Sequence, residues 1–352
     1  MNMRLIFKAM AVAMSTFIIS CGAPNSKKQD SVAINQDKDL VTADDFNRAE
    51  TDFMYQTIID AAGGKSNVFF HFRELTQLDK QTVVRMNRDV LYTGSVWDNK
   101  EGLTITYPET DGRYATIQVM DNDHYTVEIY DKPGTYELAP SKTRFVYLII
   151  RIQVIDANDP KDIAYINDIQ DQFKAVSKSN EDFPKHNWDL ESLAEMRAKF
   201  VRDALEYDGF DNMQGKRGEV DEEIRHIATA AGWGLLPDEE ATYFMFGDDD
   251  IKSGVAYKAT FDVPDNTGFW SITVYNNSGF MDSNHNIVNS GIANFNDDGT
   301  FTVCFGSESQ CGNAKNRVDA PKDGWNYLMR VYKPGKSVLN DEYKLPELEE
   351  IK

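Results

Sequence analysis

Hydrophobic and polar positions divide the chain into stretches with different periods. Between residues 82 and 154, apolar and polar residues alternate, most clearly over 102–108 and 114–119, which is typical of strands with one buried face. Residues 145–150 are apolar without a break, as in a strand that is covered on both faces. We expect this region to form a β-sheet, with turns at Asp111-Gly112 and Lys132-Pro133-Gly134.

Helical periods lie on either side of the first sheet region. Thr42 can cap a helix that Gly63-Gly64 would end. In the middle of the chain, apolar residues recur every three or four positions over 163–176, 193–204 and 220–231, which predicts three more helices. Strand patterns return over 255–263, 269–275, 301–305 and 325–332. Strands, then helices, then strands predict an α+β fold, mainly β, with two β-rich modules joined by helices.

The N-terminus reads as an export signal. Arg4 and Lys8 precede an apolar run over 9–19, and Ser20-Cys21 follows; the run is too short to span a bilayer as a permanent helix. A small residue before a cysteine resembles a bacterial lipoprotein cleavage site, which would leave Cys21 acylated and the protein anchored in the cell envelope. A plain signal peptide with a chance cysteine is the alternative. We expect a signal peptide at 1–20 and a flexible tether at 21–41.

Charge narrows the classes of partner. The 352-residue chain has a formal net charge of −20, and cleavage before Cys21 removes two cations and no acids, giving about −22. A chain this acidic is repelled by phosphate backbones, which argues against nucleic acid as a partner. In an exported protein, Cys304 and Cys311 can oxidise to a disulfide that closes a short loop. Their spacing gives no zinc site, because no second cysteine or histidine pair accompanies them.

The densest polar cluster lies at 82–92. If this segment is a strand, Arg85, Asn87 and Asp89 share one face, with Tyr92 at the end of the segment. Buried charges need partners, so the row is either an internal network, with Arg85 paired to Asp89, or the lining of a ligand pocket. On the network interpretation, Arg85→Ala would harm folding more than a surface change.

A second polar group lies at 121–125, between two predicted strands. Asp121, Asp123 and His124 could form a tight turn, for which Asp and Asn are well suited. Alternatively, Asp121 and Asp123 could bind a divalent metal ion, with His124 as a ligand or a general base. In that case Asp89 and His124 are the candidate catalytic residues.

Several segments carry a resemblance to a known family. Residues 86–92, 112–114 and 123–125 resemble the bacterial exported family whose N-terminal half is the domain of unknown function numbered 1254. Residues 268–276, 298–300, 324–327 and 330–334 resemble its usual partner, the domain numbered 1214. Val90 departs from the threonine that the family commonly has there. The resemblance runs from about Phe46 to about Leu348 and implies a β-rich N-terminal domain, connecting helices and a C-terminal antiparallel sandwich resembling a jelly roll.

With that resemblance, we expect an N-terminal β-rich domain at 42–155, a helical connector at 156–235 and a C-terminal β-sandwich at 236–352. The resemblance implies no agreed activity, and fold analogy alone does not give function. The chain has no Gly-x-Ser-x-Gly elbow, His-Glu-x-x-His motif, Walker loop or dinucleotide fingerprint. Two hypotheses stay open. One is a lipoprotein that binds a small molecule or glycan near Arg85, Asn87, Asp89 and Tyr92, and the other is a hydrolase that uses His124, with or without a divalent metal ion. Convergence of Asp121, Asp123 or His124 with Asp89 on one open pocket would favour the hydrolase, and groups that are paired and closed to solvent would count against it.

Overall fold

A computed structural model describes residues 38–81, 84–207, 209–248 and 250–351. The six α-helices of this part of the chain are α1 (Phe46–Ala61), α2 (Pro160–Gln170), α3 (Leu190–Asp203), α4 (Arg225–Ala231), α5 (Glu308–Cys311) and α6 (Lys336–Leu339). The strands of the N-terminal half are β1 (Phe70–His71), β2 (Val90–Asp98), β3 (Leu103–Tyr107), β4 (Ala115–Asp121), β5 (Thr126–Tyr130), β6 (Gly134–Leu138), β7 (Phe145–Gln153) and β8 (Lys174–Ser177). Those of the C-terminal half are β9 (Ala241–Gly247), β10 (Tyr257–Phe261), β11 (Trp270–Tyr275), β12 (Ile287–Asn289), β13 (Phe301–Phe305), β14 (Asn316–Val318), β15 (Asn326–Tyr332) and β16 (Glu349–Glu350).

A five-stranded antiparallel sheet in the order β1-β2-β7-β4-β5 forms the centre of the N-terminal half. All nine residues of β7 are buried, which confirms the prediction of a strand covered on both faces. One face packs against the three-stranded sheet β6-β3-β8 and against α2. The other face packs against α1 through Tyr55, Ile58 and Ile59. Full burial of each of these side chains contributes roughly 1.5–3 kcal/mol.

The C-terminal half is a sandwich of two four-stranded sheets, β14-β13-β10-β16 and β12-β11-β15-β9. Side chains from the inner faces of both sheets form one core, in which Trp270 stacks on Phe301 and Phe305 stacks on Trp325. The strand pairs are antiparallel except β13 and β14, which run parallel. The predicted α+β class with a jelly-roll-like sandwich is therefore confirmed.

Some local predictions were wrong. The first helix begins at Phe46, and Thr42 donates a hydrogen bond to Asp45 instead of capping it. It ends before Gly63 and Gly64 as predicted, since both have positive φ angles, 78° and 82°. The segment 156–235 is not helical throughout, because Lys174–Ser177 forms β8 and pairs with β3.

Cys304 and Cys311 form a disulfide that closes the turn between β13 and α5. Cys21 and the first part of the predicted tether lie outside the described residues. Among the residues that are described, no helix is both long enough and apolar enough to cross a bilayer.

Candidate functional site

Residues 84–89, in the segment with the densest polar residues, form a loop that contacts the C-terminal half of the protein. Contrary to the strand prediction, β2 begins only at Val90, and Arg85 has a left-handed φ of 55°. The backbone N–H of Arg85 donates to Gly279 O at 2.8 Å, in the loop after β11. Its guanidinium donates to Asn326 Oδ1 at 2.6 Å. A pattern of alternating side chains could not predict this loop, because Arg85 is held by Gly279 and Asn326, which lie about 200 and 240 positions later in the chain.

Asp89 is fully buried and is held by hydroxyl groups of the C-terminal half. Its Oδ2 accepts a hydrogen bond from Ser271, and its Oδ1 accepts one from the Tyr332 hydroxyl at 3.2 Å. Asn87 Oδ1 accepts from the Asp89 backbone N–H at 2.7 Å, and Asn87 Nδ2 donates to the Tyr332 hydroxyl at 2.9 Å. Tyr92 is at the edge, 3.5 Å from Asn87 Nδ2. Arg85 is not among these hydrogen-bond partners of Asp89, so the expected Arg85–Asp89 pair does not form.

Arg85 was predicted to supply the positive charge that balances the buried Asp89. Arg330 is the buried arginine whose charge acts on Asp89 instead. Its guanidinium donates to the carbonyl oxygen of Arg85 and to the Tyr275 hydroxyl, both at 2.9 Å. Burial alone would lower the pKa of Arg330, but the fields of Tyr275 and Asp89 raise it above its usual value. We call Asn87, Asp89, Ser271, Arg330 and Tyr332 the junction cluster. It is an internal network, which is one of the two interpretations of the 82–92 segment.

The second polar group, at 121–125, is a turn whose charged side chains are paired with arginines. Asp121 Oδ1 accepts from the backbone N–H groups of Asp123 and Tyr125, at 2.9 and 3.0 Å. Arg217 donates to Asp121 Oδ2 at 2.6 Å and to Asp123 Oδ2 at 2.9 Å, and Arg48 contacts Asp123 Oδ1. No group of three or more His, Cys, Asp or Glu side chains within the described ranges is arranged to hold a metal ion. The geometry therefore favours the turn interpretation over a divalent metal site.

His124 is buried, and both of its ring nitrogens are engaged. Its Nε2 accepts from the Gly234 backbone N–H at 3.1 Å, so the proton must be on Nδ1, which lies 2.9 Å from Thr229 Oγ1. Burial, assisted by the nearby charge of Arg225, lowers the pKa of His124 to about 3. In this geometry the Nε2 lone pair, the one lone pair of the neutral ring available for a proton, already accepts a backbone hydrogen bond, which disfavours a role as general base.

Asp89 and His124 do not share a site. The backbone oxygen of Asp89 accepts from the N–H of Val154, just after the C-terminal end of β7, whereas Asp121 pairs with Val146 near the other end. At about 3.3 Å per residue, this separation along the strand is roughly 25 Å. Asp89 and His124, the candidate catalytic residues, therefore do not converge on one open pocket, and both groups are closed to solvent.

An open pocket lies elsewhere, at the edge of the C-terminal sandwich between the edge strands β9 and β16. Its volume is about 280 Å³, close to the lower end of the range for small-molecule sites. We call it the acidic pocket, because it combines an apolar lining with three carboxylates. The apolar lining is formed by Phe246, Ile251, Tyr257 and Leu348, and the carboxylates are those of Asp248, Asp250 and Glu347. A second cavity, beside Trp325 and Asn286, measures about 10 Å³, which is enough for a single water molecule.

The acidic pocket is supported by the disulfide-linked turn. Gln310, next to Cys311 in α5, donates from Nε2 to Ser253 O at 3.0 Å. Ser253 belongs to the loop that carries Asp248, Asp250 and Ile251. Sequence reasoning missed this pocket, although the acidic run at 248–250 directly after the apolar β9 pattern was a visible signal.

Comparison with known families identifies both halves. The family profile described as a protein of unknown function, DUF1254, matches residues 66–136, and the profile of a second protein of unknown function, DUF1214, matches residues 240–336. The chain joins a DUF1254 domain to a DUF1214 domain. The resemblance that the sequence motifs indicated is therefore confirmed. The junction cluster lies where the two matched regions meet. Asn87 and Asp89 belong to the DUF1254 match, and the other members belong to the DUF1214 match: Ser271, Arg330 and Tyr332.

Solved structures show that other chains share this two-domain fold. The VPA0106 protein of Vibrio parahaemolyticus aligns with a TM-score of 0.66 at 17% identity, over 88% of this chain and 98% of its own. An uncharacterized protein from Burkholderia cenocepacia aligns with a TM-score of 0.52 at 16% identity, over 87% of this chain and 86% of its own. No curated protein sequence matches significantly. These likenesses support the fold and carry no activity with them.

Proposed function

We propose that this DUF1254–DUF1214 protein is a lipid-anchored binding protein of the bacterial cell envelope and that the acidic pocket is its ligand site. The observation that carries the proposal is the pocket itself, an open recess that is partly apolar and has a few polar groups, as small-molecule sites usually are. The junction cluster is the weaker candidate, because its polar groups satisfy one another inside the protein.

No observation favours the hydrolase hypothesis over binding. His124 lacks a free nitrogen, and Asp121 and Asp123 are paired with arginines. A glycan remains among the ligands to be tested, because Phe246 and Tyr257 offer aromatic surface beside oxygen acceptors.

Blocking the pocket tests the ligand site. Leu348→Trp adds a large side chain to the pocket lining, so we expect it to abolish binding of any small molecule that the unaltered protein takes up. Isothermal titration with a panel of neutral sugars, amines and carboxylic acids provides the measurement. Phe295→Ala, which changes an exposed aromatic residue elsewhere on the sandwich, is the matched control and should leave the affinity unchanged. Equal affinity in Leu348→Trp would show that the ligand binds elsewhere.

The anchor is tested separately. Cells expressing the full chain are labelled with an alkyne analogue of palmitate, and the protein is expected to incorporate the label through Cys21 and to fractionate with membranes. Cys21→Ser should lose the label and be released from the membrane fraction. Label that persists in Cys21→Ser, or its absence from the unaltered protein, would overturn the lipoprotein assignment.

A further inference from the structure

The charge of the acidic pocket restricts what it can bind. Asp248, Asp250 and Glu347 are all exposed, and among the described residues none of the three has a lysine or arginine within salt-bridge distance. The lysines next to the pocket residues in the sequence form ion pairs with other carboxylates. Lys252 Nζ lies 4.0 Å from Asp323, and Lys258 Nζ lies 3.1 Å from Glu349. A ligand that covers the pocket removes water from these carboxylates, and a positive charge on the ligand would compensate for that loss. A neutral or anionic ligand would leave it uncompensated.

The walls of the pocket indicate the kind of cation. Phe246 and Tyr257 contribute aromatic rings, and Ile251 and Leu348 contribute aliphatic surface. The ring of Phe246 stacks on the buried ring of Tyr327, with centroids 5.0 Å apart, and the ring of Tyr257 packs edge-on against the buried Trp325, at 6.0 Å. The three carboxylates are not arranged to coordinate an inorganic cation, since no group of three or more His, Cys, Asp or Glu side chains in the described part of the chain could hold a metal ion. An organic ammonium group, in contrast, is attracted to aromatic faces while its carbon atoms fill apolar space.

The anchoring of the carboxylates fits this use. Asp248 Oδ1 accepts the backbone N–H of Asp250 at 2.9 Å, which fixes the turn that carries both residues. Glu347 and Leu348 approach from the chain segment before β16, more than 90 residues later. The charged rim therefore comes from two separate segments that face the same recess, and its position depends on the folded C-terminal sandwich.

We propose that the ligand of the acidic pocket is a small organic cation, a primary or quaternary amine that carries an apolar group. The proposal rests on the proposed function, because it assumes that this pocket is the ligand site. It adds the chemical class: the ammonium group lies among Asp248, Asp250 and Glu347, and the apolar group contacts Phe246 and Tyr257.

A matched series of probes tests the charge requirement. Benzyltrimethylammonium, benzylamine, benzyl alcohol and benzoate share a ring and differ in charge, and their affinities are measured by isothermal titration at pH 7. We expect both cations to bind at least about 10-fold more tightly than benzyl alcohol, benzoate to bind most weakly, and cation affinity to fall as salt is raised. Equal or tighter binding of benzyl alcohol or benzoate, or no binding of either cation at millimolar concentration, would overturn the inference.

Variants locate the effect. The triple change Asp248→Asn, Asp250→Asn and Glu347→Gln keeps the shape of the pocket and removes its charge, so cation affinity should fall about 10-fold or more while that of benzyl alcohol stays the same. Asp297→Asn, an exposed carboxylate elsewhere on the sandwich, is the control. Unchanged cation affinity in the triple variant contradicts the charge inference. Binding of a neutral probe that Leu348→Trp abolishes would keep the ligand site and reject only the cation, so the two proposals fail in distinguishable ways.

Discussion

Replacing Asp89 with alanine is expected to lower the free energy of unfolding by about 3–5 kcal/mol. The Ser271 and Tyr332 hydroxyls would lose their buried acceptor, and Arg330 would lose the negative charge that offsets its own burial. Burial raises the pKa of Asp89, and Arg330 together with the hydrogen bonds opposes that rise. The two domains are joined through these contacts, so the loss should reduce the stability of both together.

Urea denaturation followed by tryptophan fluorescence measures this effect. Asp89→Asn keeps the shape and one acceptor oxygen and should cost less than Asp89→Ala. Asp168→Ala, an exposed position on α2, is the matched control and should change stability by no more than about 0.5 kcal/mol. A loss below about 1 kcal/mol for Asp89→Ala would mean that the carboxylate is solvated and that the junction cluster does not join the domains.

The same geometry changes the expectation for Arg85. Its side chain donates to Asn326 and lies 5.8 Å from the Tyr275 ring centroid, so Arg85→Ala removes the hydrogen bond to Asn326 and a cation–π contact. Neither change leaves Asp89 without a partner. The sequence correctly indicated that a buried carboxylate at position 89 requires support, but the support comes from strands β11 and β15.

Periodicity predicted those elements whose burial follows a simple rule. The strand at 301–305 matches β13 at both ends, and β7 is covered on both faces as its unbroken apolar run indicated. The rule failed at Val176, which completes a three-and-four spacing with Ile169 and Phe173 but lies on the short edge strand β8, 65% exposed. Pairing with β3 decides that conformation, and such a pairing is a tertiary interaction that a local period does not contain.

The candidate site was less accessible to sequence reasoning than the fold. Polar density drew attention to 82–92 and 121–125, where the charges turned out to be paired internally. The acidic pocket instead combines Phe246 and Tyr257 with Leu348, and no local motif connects positions so far apart in the chain. A high density of polar residues in the sequence identified buried polar side chains that need hydrogen-bond partners inside the protein. An open pocket depends instead on which surfaces the folded chain leaves exposed to solvent.

Asp98 provides the second large effect, and it depends on pH. Its buried carboxylate accepts a bidentate pair of hydrogen bonds from Arg144, at 3.0 and 2.8 Å, and two more from the backbone N–H groups of Lys100 and Glu181, at 3.1 and 2.9 Å. Burial alone would raise the pKa of Asp98, but these hydrogen bonds hold it well below its usual value. They tie the end of β2 to the segment before α3, so the ionised form of Asp98 stabilises the DUF1254 domain.

Asp98→Asn is therefore expected to lower the free energy of unfolding by about 2–3 kcal/mol at pH 7. Because the folded pKa of Asp98 lies below the unfolded value of about 3.9, the unfolded chain takes up the proton first as the pH falls. The stabilisation by Asp98 is thus complete above about pH 5 and declines below about pH 4, and the difference between the variant and the unaltered protein should shrink there. Denaturation curves from pH 7 to pH 3 test this, with Asp168→Asn as the exposed control. A difference that stays constant across the range would show that the charge of Asp98 contributes nothing and that only the shape of its side chain matters.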